Sequence, residues 1–488
     1  MRRVLSILLL LCAPALPAQV RESLTVEVIE VPVYVTDAEG KPIRNLPRDA
    51  FELRVNGKQQ PIEYFDTVDV TAAPAAGQQR PPRERRLYLF LFDLAYNTEA
   101  EILHAQRAAE ALIDADTNDS DLFAVAKYVP RQGIQYISSF LSSRPELRRA
   151  IYTLKPSEAH DPLHVAIDPR ERAAWITEMG MEQGSPRGRG MGAIASAERA
   201  SALRGGPANQ SAISQPHMVL TESEINSLVT LAGNLSGLEG QKHVVFFTEG
   251  ARAVPNTIYL RDLNTAFRQA GVFLHAVGTV AVSGNRETLR RITEDMGGQY
   301  FWGSDPIVAL QHLTASQQVA YLLAFHRHDN NRGEITVRVN NLPRGATVRF
   351  RTGYGEAGVK KNVNQLVLAD VITNDLEQNG VALDGFVKPA KGGAELSVRF
   401  PREQVVSLLD AADPSIELYL YVMDSSGSAV KFESKHVAFD EKSRQGEGRI
   451  GLKQWFDLPP GKYVAKALMT VHGSTAMGFT RGEFTVDE

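Results

Sequence analysis

Runs of consecutive apolar residues mark three strands in the middle of the chain. Residues 87–92 are all apolar or aromatic and lead into Asp93. Residues 243–250 and 272–278 are similar strands, with apolar residues at 244–247 before the polar tip Thr248-Glu249 and with His275 as the polar member of the second. Apolar runs of this length are typical of strands that are buried on both faces, as in a parallel sheet. Such sheets bind ligands outside the carboxyl ends of their strands, so the tip at Asp93 is the first candidate site.

Segments with helical character separate these strands. The predicted helices are residues 99–114, 144–154, 222–235, 258–270, 286–296 and 306–318. Thr98 precedes the first helix and has the chemistry of an N-cap. The alternation of strands and helices predicts an α/β fold with a doubly wound, mainly parallel sheet and right-handed crossovers.

Alternating patterns replace the apolar runs on both sides of this domain. Residues 24–69 alternate in part up to the hairpin signal Asn56-Gly57, and we predict an N-terminal β module there. Residues 365–488 show short alternating runs between turns and predict a C-terminal β-sandwich. The remaining predicted segments are a linker at 70–86, the α/β domain at 87–325 and a closing β-hairpin at 326–358.

The α/β domain is interrupted at about residues 155–217. Glycine and arginine dominate residues 182–193, so we predict a partly disordered insertion with a helix near residues 168–181. Its glycines match no phosphate-loop spacing, which argues against a nucleotide site. His160 and His164 have the spacing of a zinc pair on one helix face, but Pro162 lies between them and no third ligand is evident.

Length and charge narrow the function. The chain has 488 residues, and a chain of this length is expected to form about three domains. Its formal net charge is −4 and its pI about 6.3, which argues against nucleic acid as a partner. The basic run at residues 83–86 precedes a strand, and we expect it to form a solvated edge.

The N-terminus has the pattern of a secretory signal peptide at residues 1–18, with two arginines, a short apolar run and small residues. The run is too short for a membrane span, so we predict a secreted or periplasmic protein with no transmembrane segment in the mature chain. Leu11 argues against a lipoprotein anchor at Cys12, because a small residue belongs at that position. Cys12 is the only cysteine, which excludes disulfides, thiolate metal sites and a cysteine nucleophile from the mature chain.

The segments together resemble a von Willebrand factor type A (vWA) domain of the VWFA-related secreted proteins that are abundant in Acidobacteria. The resemblance is carried in the α/β domain by residues 87–99, 243–250, 273–278 and 289–301. Residues 32–58 look like the front module of that family, and residues 321–354 look like its closing hairpin. It covers residues 24–355 and implies a vWA/Rossmann-like fold.

That family implies a metal-ion-dependent adhesion site at the strand tips. An Asp-x-Ser-x-Ser motif, a threonine and a later acidic residue hold a divalent cation such as Mg²⁺, and one position stays open for a partner's carboxylate. The motif here is Asp93-x-Ala95-x-Asn97, in which Ala95 has no oxygen donor. The resemblance therefore implies a degenerate site, with the metal ligands Asp93, Asn97, Thr98 and Glu249. The alternative is that Asp93 and Glu249 hydrogen-bond loop amides and hold no ion.

We predict an exported, non-enzymatic adhesion-type protein that binds an unknown protein or envelope component through its strand tips. Two alternatives stay open. An α/β hydrolase-like enzyme needs a Gly-x-Ser-x-Gly turn, and the nearest segment, around Ser236, lies at the end of a predicted helix. Carbohydrate or cell-wall binding by the C-terminal sandwich needs exposed aromatic residues, and the candidates are Tyr419, Tyr421, Trp455 and Tyr463.

Overall fold

The computed structural model describes residues 27–72, 80–114, 121–130, 132–156, 210–248, 257–278, 286–327, 329–356 and 363–487. The predicted signal peptide, most of the predicted insertion with both of its histidines, and Glu249 lie outside these residues. Among the described helices, none combines the length and the apolar character that crossing a bilayer requires.

The elements of the described residues run as follows. The N-terminal strands are β1 (Val28–Thr36), β2 (Phe51–Val55), β3 (Lys58–Gln60) and β4 (Tyr64–Asp69), with 3₁₀ turns at Arg48–Ala50 and Pro82–Glu84. The middle of the chain has β5 (Arg86–Asp93), α1 (Glu99–Asp114), β6 (Asp121–Val129), β7 (Gly133–Tyr136), α2 (Arg144–Thr153), α3 (Gln210–Leu235), β8 (Gln241–Phe247), α4 (Thr257–Ala270), β9 (Val272–Gly278), α5 (Arg286–Asp295), β10 (Tyr300–Trp302) and α6 (Pro306–Ser316). It continues with β11 (Val319–His326), β12 (Gly333–Val339), β13 (Thr347–Phe350) and β14 (Gly353–Tyr354). The C-terminal part has α7 (Gln365–Asn374), β15 (Asp384–Ala390), β16 (Gly393–Pro401), α8 (Arg402–Val406), β17 (Ser415–Asp424), β18 (Ala429–Ala438), α9 (Glu441–Arg444), β19 (Arg449–Asp457), β20 (Gly461–Val471) and β21 (Met477–Val486).

Strands β5 to β10 form a six-stranded sheet in the order β10-β9-β8-β5-β6-β7. All neighbours in this sheet are parallel except β7, which pairs with β6 in the antiparallel direction. The chain fills the sheet from β5 first to one side and then to the other, so its direction changes between β5 and β8. The predicted mixed α/β fold with a mainly parallel sheet is confirmed, and the β5–β8 boundary is its topological switch point.

Helices cover both faces of this sheet. Leu89 and Leu91 of β5 lie in an apolar cluster with side chains of α3, α4, α5 and α7. Phe90 and Phe92 lie in a second cluster with side chains of α1, α2 and α6. Successive strand residues point to opposite faces, and all of β5 is buried. Burial on both faces of the strand therefore explains the continuous apolar run in the sequence.

The N-terminal strands and the strands after the α/β domain form one unit of two antiparallel sheets. The sheet orders are β13-β1-β11-β4 and β14-β12-β2-β3, and their apolar side chains share a core. β11 pairs with β1 and β4, although the sequence placed residues 319–325 in the α/β domain. Of the hairpin predicted at residues 326–358, the structure has an antiparallel pairing of β12 with β14, whereas β12 and β13 lie in different sheets, beside β2 and β1 respectively. Separating these two strands lets each of them bury apolar side chains in the shared core, which an isolated hairpin lacks.

The C-terminal part begins with a helix rather than with a strand. α7 packs with α3 in the cluster on one face of the central sheet. Two antiparallel sheets with a shared apolar core follow it, in the orders β15-β16-β19 and β18-β17-β20-β21. Polar contacts join α7 to both neighbours: Asp370 pairs with Arg85 at 3.0 Å, and the carbonyl of Ile372 accepts from Lys466 Nζ at 2.7 Å.

Helix α3 begins at Gln210, well before the predicted start at residue 222. The final residues of the predicted insertion, 210–217, are therefore helical. That prediction depended on apolar residues at helical spacing, and residues 210–217 contain few of them. A helix that gains its stability from tertiary packing further along can extend into such a polar stretch.

Steric constraints explain the two glycines Gly297 and Gly298, which lie where the chain returns from α5 to the sheet. Gly297 has φ +73°, a left-handed conformation that favours glycine. A Cβ on Gly298 would lie 1.7 Å from the carbonyl oxygen of Leu274. This close approach brings the next residue, Gln299, against the ring of His275 on β9.

Candidate binding site at the strand tips

Asp93 ends β5 at the switch point, and its carboxylate organises the loop that follows. The side chain is 0% exposed. Its Oδ1 accepts hydrogen bonds from the N–H of Ala95 at 2.8 Å and from that of Tyr96 at 3.2 Å. Its Oδ2 accepts a hydrogen bond from Thr248 Oγ1 at 2.5 Å, just after β8. The carboxylate therefore closes the turn after β5 and joins the two strands on either side of the switch point.

Asn97 and Thr98 have different roles in this loop. Asn97 is buried, and its Nδ2 donates to the carbonyl oxygen of Phe247 at 2.8 Å, which is a second tie to β8. Thr98 is exposed and forms a capping box with Glu101 at the start of α1. Its N–H donates to Glu101 Oε2 at 2.6 Å, and its Oγ1 accepts from the Glu101 N–H at 3.4 Å. The predicted N-cap is confirmed.

A second carboxyl group, Glu224 of α3, reaches the same tip and was not among the predicted site residues. It is 5% exposed, and burial together with the charge of Asp93 raises its pKa well above the ordinary value. Burial, followed by the charge of Glu224, also raises the pKa of the Tyr128 hydroxyl at the end of β6. The sequence carried one signal for Glu224. It shares a helical stripe with the buried residues Leu228 and Leu231, where a charged residue is unusual.

The described oxygen donors do not fit a complete adhesion site. Ala95 offers no side-chain oxygen, Asn97 donates its amide to Phe247, and Thr98 caps α1. Within the described ranges, no group of three or more His, Cys, Asp or Glu side chains is placed to hold a metal ion. Glu249 lies outside those ranges, so a metal ion at Asp93, Asn97, Thr98 and Glu249 stays a prediction.

Replacing Glu224 with glutamine is expected to stabilise the protein at pH 7. The pKa of Glu224 in the folded protein is raised above its unfolded value of 4.5. Ionising this side chain therefore lowers the free energy of unfolding as the pH rises above 4.5. Removing the charge should raise the free energy of unfolding at pH 7 by about 1–2 kcal/mol, and the gain should vanish near pH 4.5. Urea unfolding at the two pH values measures both effects.

The matched control is Glu222→Gln on the same helix, which should change stability by less than about 0.5 kcal/mol. A loss of stability in Glu224→Gln at pH 7 would contradict the expected result. The expected result would also be contradicted if added Mg²⁺ raised the melting temperature of the wild type but not that of Asp93→Ala. That second outcome would show that a cation, rather than a proton, compensates the two carboxyl groups.

A separate polar cluster lies inside the molecule, where β1 packs against the central sheet. His243 of β8 and His275 of β9 are each 1% exposed, and Nδ1 of the first lies 3.2 Å from Nε2 of the second. Tyr34 of β1 lies 3.3 Å from His243 Nε2 and donates its hydroxyl proton to Gln241 Oε1 at 2.5 Å. The sequence assigned these histidines to strands and gave no sign that they meet.

One backbone N–H group determines which ring nitrogens of the two histidines carry protons. The N–H of Gln299 donates to His275 Nδ1 at 3.0 Å, so the hydrogen-bond network assigns the proton of His275 to Nε2. That proton is donated to His243 Nδ1, and His243 carries its own proton on Nε2, facing Tyr34. Both rings are neutral in this arrangement. Burial and then His275 and Arg86 lower the pKa of His243 well below its ordinary value, and burial and then Arg349 lower that of His275 to about 3.

Ser236, the serine considered for a hydrolase, follows the last turn of α3. Its hydroxyl donates to the carbonyl oxygen of Gly233 at 2.7 Å. It therefore helps to end a helix and does not stand at a strand-to-helix turn, which is the position that an α/β hydrolase nucleophile requires.

The aromatic candidates of the C-terminal part differ in exposure. Tyr419 and Tyr421 are partly buried against the cluster around α3 and α7. Tyr463 is 8% exposed, and its hydroxyl donates to a backbone carbonyl at 2.9 Å. Trp455 is 43% exposed, so it is the member of the set that a sugar ring can reach. Carbohydrate binding stays a prediction.

Comparisons with known proteins yield distant structural likeness. No family model matches the chain, and no curated protein matches it. An aerotolerance-related membrane protein from Bacteroides fragilis is similar over 47% of this chain and 97% of its own, with 10% identity and a TM-score of 0.25. BatB from Bacteroides thetaiotaomicron is similar over 48% and 99%, with 11% identity and a TM-score of 0.24. Proximal thread matrix protein 1 of the mussel byssus is similar over 54% of this chain and 51% of its own, with 13% identity and a TM-score of 0.30.

Proposed function

We propose that the chain is an exported, non-enzymatic interaction protein that binds a partner protein or envelope component through the strand tips of its α/β domain. The observation that carries this proposal is the pair of buried ties from Asp93 and Asn97 to the end of β8. They fix the loop after β5 at the switch point, where open α/β sheets bind ligands. The resemblance of residues 24–355 to VWFA-related proteins supports the same surface.

The buried hydrogen bonds of Asp93 and Asn97 hold the loop next to an exposed surface. Residues 98–100 are exposed and follow the turn that Asp93 closes; we call them the tip surface. A loop that is already held by buried hydrogen bonds loses little conformational entropy when a partner binds it. The partner contacts the tip surface directly in this proposal, because Ala95 and Asn97 leave the described donors of the adhesion site incomplete.

Charge reversal at the tip surface tests the proposal. The mature chain is immobilised and used to capture partners from the envelope fraction of its own cells, and the dissociation constant of the captured partner is then measured. Glu99 is exposed in the middle of the tip surface, and Glu99→Arg is expected to raise that constant at least about tenfold, as charge changes within interfaces do.

The matched control is Glu433→Arg, which makes the same change on the exposed strand β18. Equal binding by wild type, Glu99→Arg and a Thr98→Lys variant would place the partner elsewhere and overturn the proposal. Loss of binding in Glu433→Arg, with full binding in Glu99→Arg, would instead assign the interaction to the C-terminal part.

A further inference from the structure

A cleft of about 530 Å³ lies between the α/β domain and the N-terminal unit. Its walls come from α4, the end of α5, the start of β12 and the segment around Tyr354. Helix α4 ends at Ala270 and β9 begins at Val272, so these helix ends lead into the amino ends of the parallel strands. The cleft therefore lies toward the sheet edge opposite the strand tips, apart from the surface proposed above.

Positive charge dominates the lining of this cleft. Four arginines line it, against the two carboxylates of Asp295 and Glu334. The arginines are Arg261, Arg268, Arg291 and Arg332. Ion pairs within the described residues do not neutralise Arg268, Arg291 or Arg332. An anion that enters the cleft therefore meets an excess of guanidinium groups.

Two buried polar atoms in the cleft wall have no hydrogen-bond partner among the described residues. They are Nε of Arg268 and Oδ1 of Asn264, which lie one helical turn apart on α4. Buried polar groups are nearly always hydrogen-bonded in folded proteins, and each exception calls for an explanation. A guanidinium Nε only donates, so its missing partner is an acceptor. Oδ1 of Asn264 only accepts, so its missing partner is a hydrogen-bond donor.

Part of the wall is apolar and suits a small organic molecule. Leu260, Ile292 and the ring of Tyr354 line the cleft beside the arginines. Arg327 covers one face of the Tyr354 ring at 4.7 Å, which holds the ring in place. A volume of this size, with apolar walls and a few convergent polar groups, is typical of ligand sites of about 300–1,000 Å³.

We propose that this cleft binds a small organic anion through a carboxylate or phosphate group. The anionic oxygen accepts from Arg268, with Arg291 and Arg332 adding charge, and an adjacent N–H or O–H of the ligand donates to Asn264 Oδ1. Guanidinium groups match both kinds of oxyanion through short, charge-assisted hydrogen bonds. The proposal does not depend on partner binding at the tip surface.

Calorimetric titration of the full mature chain tests this site. The probes are citrate for carboxylates, glucose 6-phosphate for phosphates and glucose as the uncharged reference, all at one ionic strength. We expect saturable binding of at least one anion and none of glucose, and the two anion arms decide between the chemical groups. Arg268→Gln should weaken that binding by about tenfold to a hundredfold, the range for a charged hydrogen bond.

Arg344→Gln is the matched control, because Arg344 is exposed and lies outside the cleft. It should bind as the wild type does. Arg268→Lys keeps the charge without the planar fork and should bind with intermediate affinity, and the melting temperatures of all variants without ligand report whether they fold. The proposal would be overturned if neither anion bound saturably. It would also be overturned if the wild type, Arg268→Lys and Arg268→Gln bound an anion with equal affinity.

Discussion

Between pH 7 and pH 5, the free energy of unfolding is expected to fall by about 2 kcal/mol for each buried histidine of the pair His243 and His275. The pKa of each ring in the folded protein lies below the ordinary value of 6.5. The unfolded chain therefore binds more protons than the folded protein once the pH falls below that value. The stabilisation is complete above about pH 6.5 and is lost progressively toward the folded pKa, which is about 3 for His275.

The hydrogen-bond network also disfavours a further proton on His243. Nδ1 of His243 accepts the proton that His275 donates, and Gln317 Nε2 also lies 3.1 Å from that nitrogen. A further proton on His243 would place two N–H groups against each other inside a cluster that excludes water. The guanidinium of Arg86 nearby adds repulsion, since it lowers the pKa of the same ring.

Urea unfolding at several pH values measures this effect as the slope of stability against pH. His275→Gln is expected to reduce the slope between pH 5 and pH 7 by about 1 kcal/mol for each pH unit, which corresponds to the loss of about 2 kcal/mol over the two units. His104→Gln is the control at an exposed position on α1, and it should leave the slope as in the wild type. Equal slopes in wild type, His243→Gln and His275→Gln would show that the pair does not carry the acid sensitivity.

Local signals account for the parts of the fold that the sequence predicted well. The run at residues 87–92 gave a strand that the structure places at Arg86–Asp93. Helix α1 has the predicted bounds because Thr98 and Glu101 cap it from within the same segment. Each of these elements is specified by neighbours in the chain, so a single sequence is enough to predict it.

Contacts between distant segments explain what the sequence did not predict. The arginines at the end of the basic run were expected at a solvated edge, and this is wrong for Arg85 and Arg86, which are 7% and 3% exposed. Their partners, Asp370 and Asp121, lie 285 and 35 residues away in the chain. The local sequence of a basic run does not show whether its side chains are solvated or pair with a distant carboxylate.

The same limit applies to the strand-tip site. The position of Asp93 followed from the strand before it, and its burial against the end of β8 agrees with the parallel register of β5 and β8. Glu224 reaches the tip only because α3 crosses that face of the sheet, and this packing depends on the whole α/β domain. The sequence predicted where the site begins and missed the carboxyl group that sets its electrostatics.

Asp121→Ala is expected to lower the free energy of unfolding by about 3–5 kcal/mol, because it leaves the charge of Arg86 buried without a partner. Arg86 begins β5 and lies opposite Asp121 in the parallel register with β6. Its Nε donates to Asp121 Oδ1 at 2.7 Å, and its Nη2 donates to Oδ2 at 2.5 Å. The two residues are 3% and 2% exposed, so water cannot replace the lost carboxylate.

Asp114→Ala is the matched control, since Asp114 pairs with Arg148 at the surface, where both side chains are more than two-fifths exposed (47% and 44%). Loss of such a pair should cost at most about 1 kcal/mol. The double variant Arg86→Met with Asp121→Leu removes both charges and should recover much of the stability lost in Asp121→Ala, because the cost comes mainly from the unpaired ion. Chemical unfolding of the four proteins decides the matter. If Asp121→Ala costs no more than Asp114→Ala, Arg86 finds other compensation, for which its bond to the carbonyl oxygen of Gln317 at 3.2 Å is the candidate.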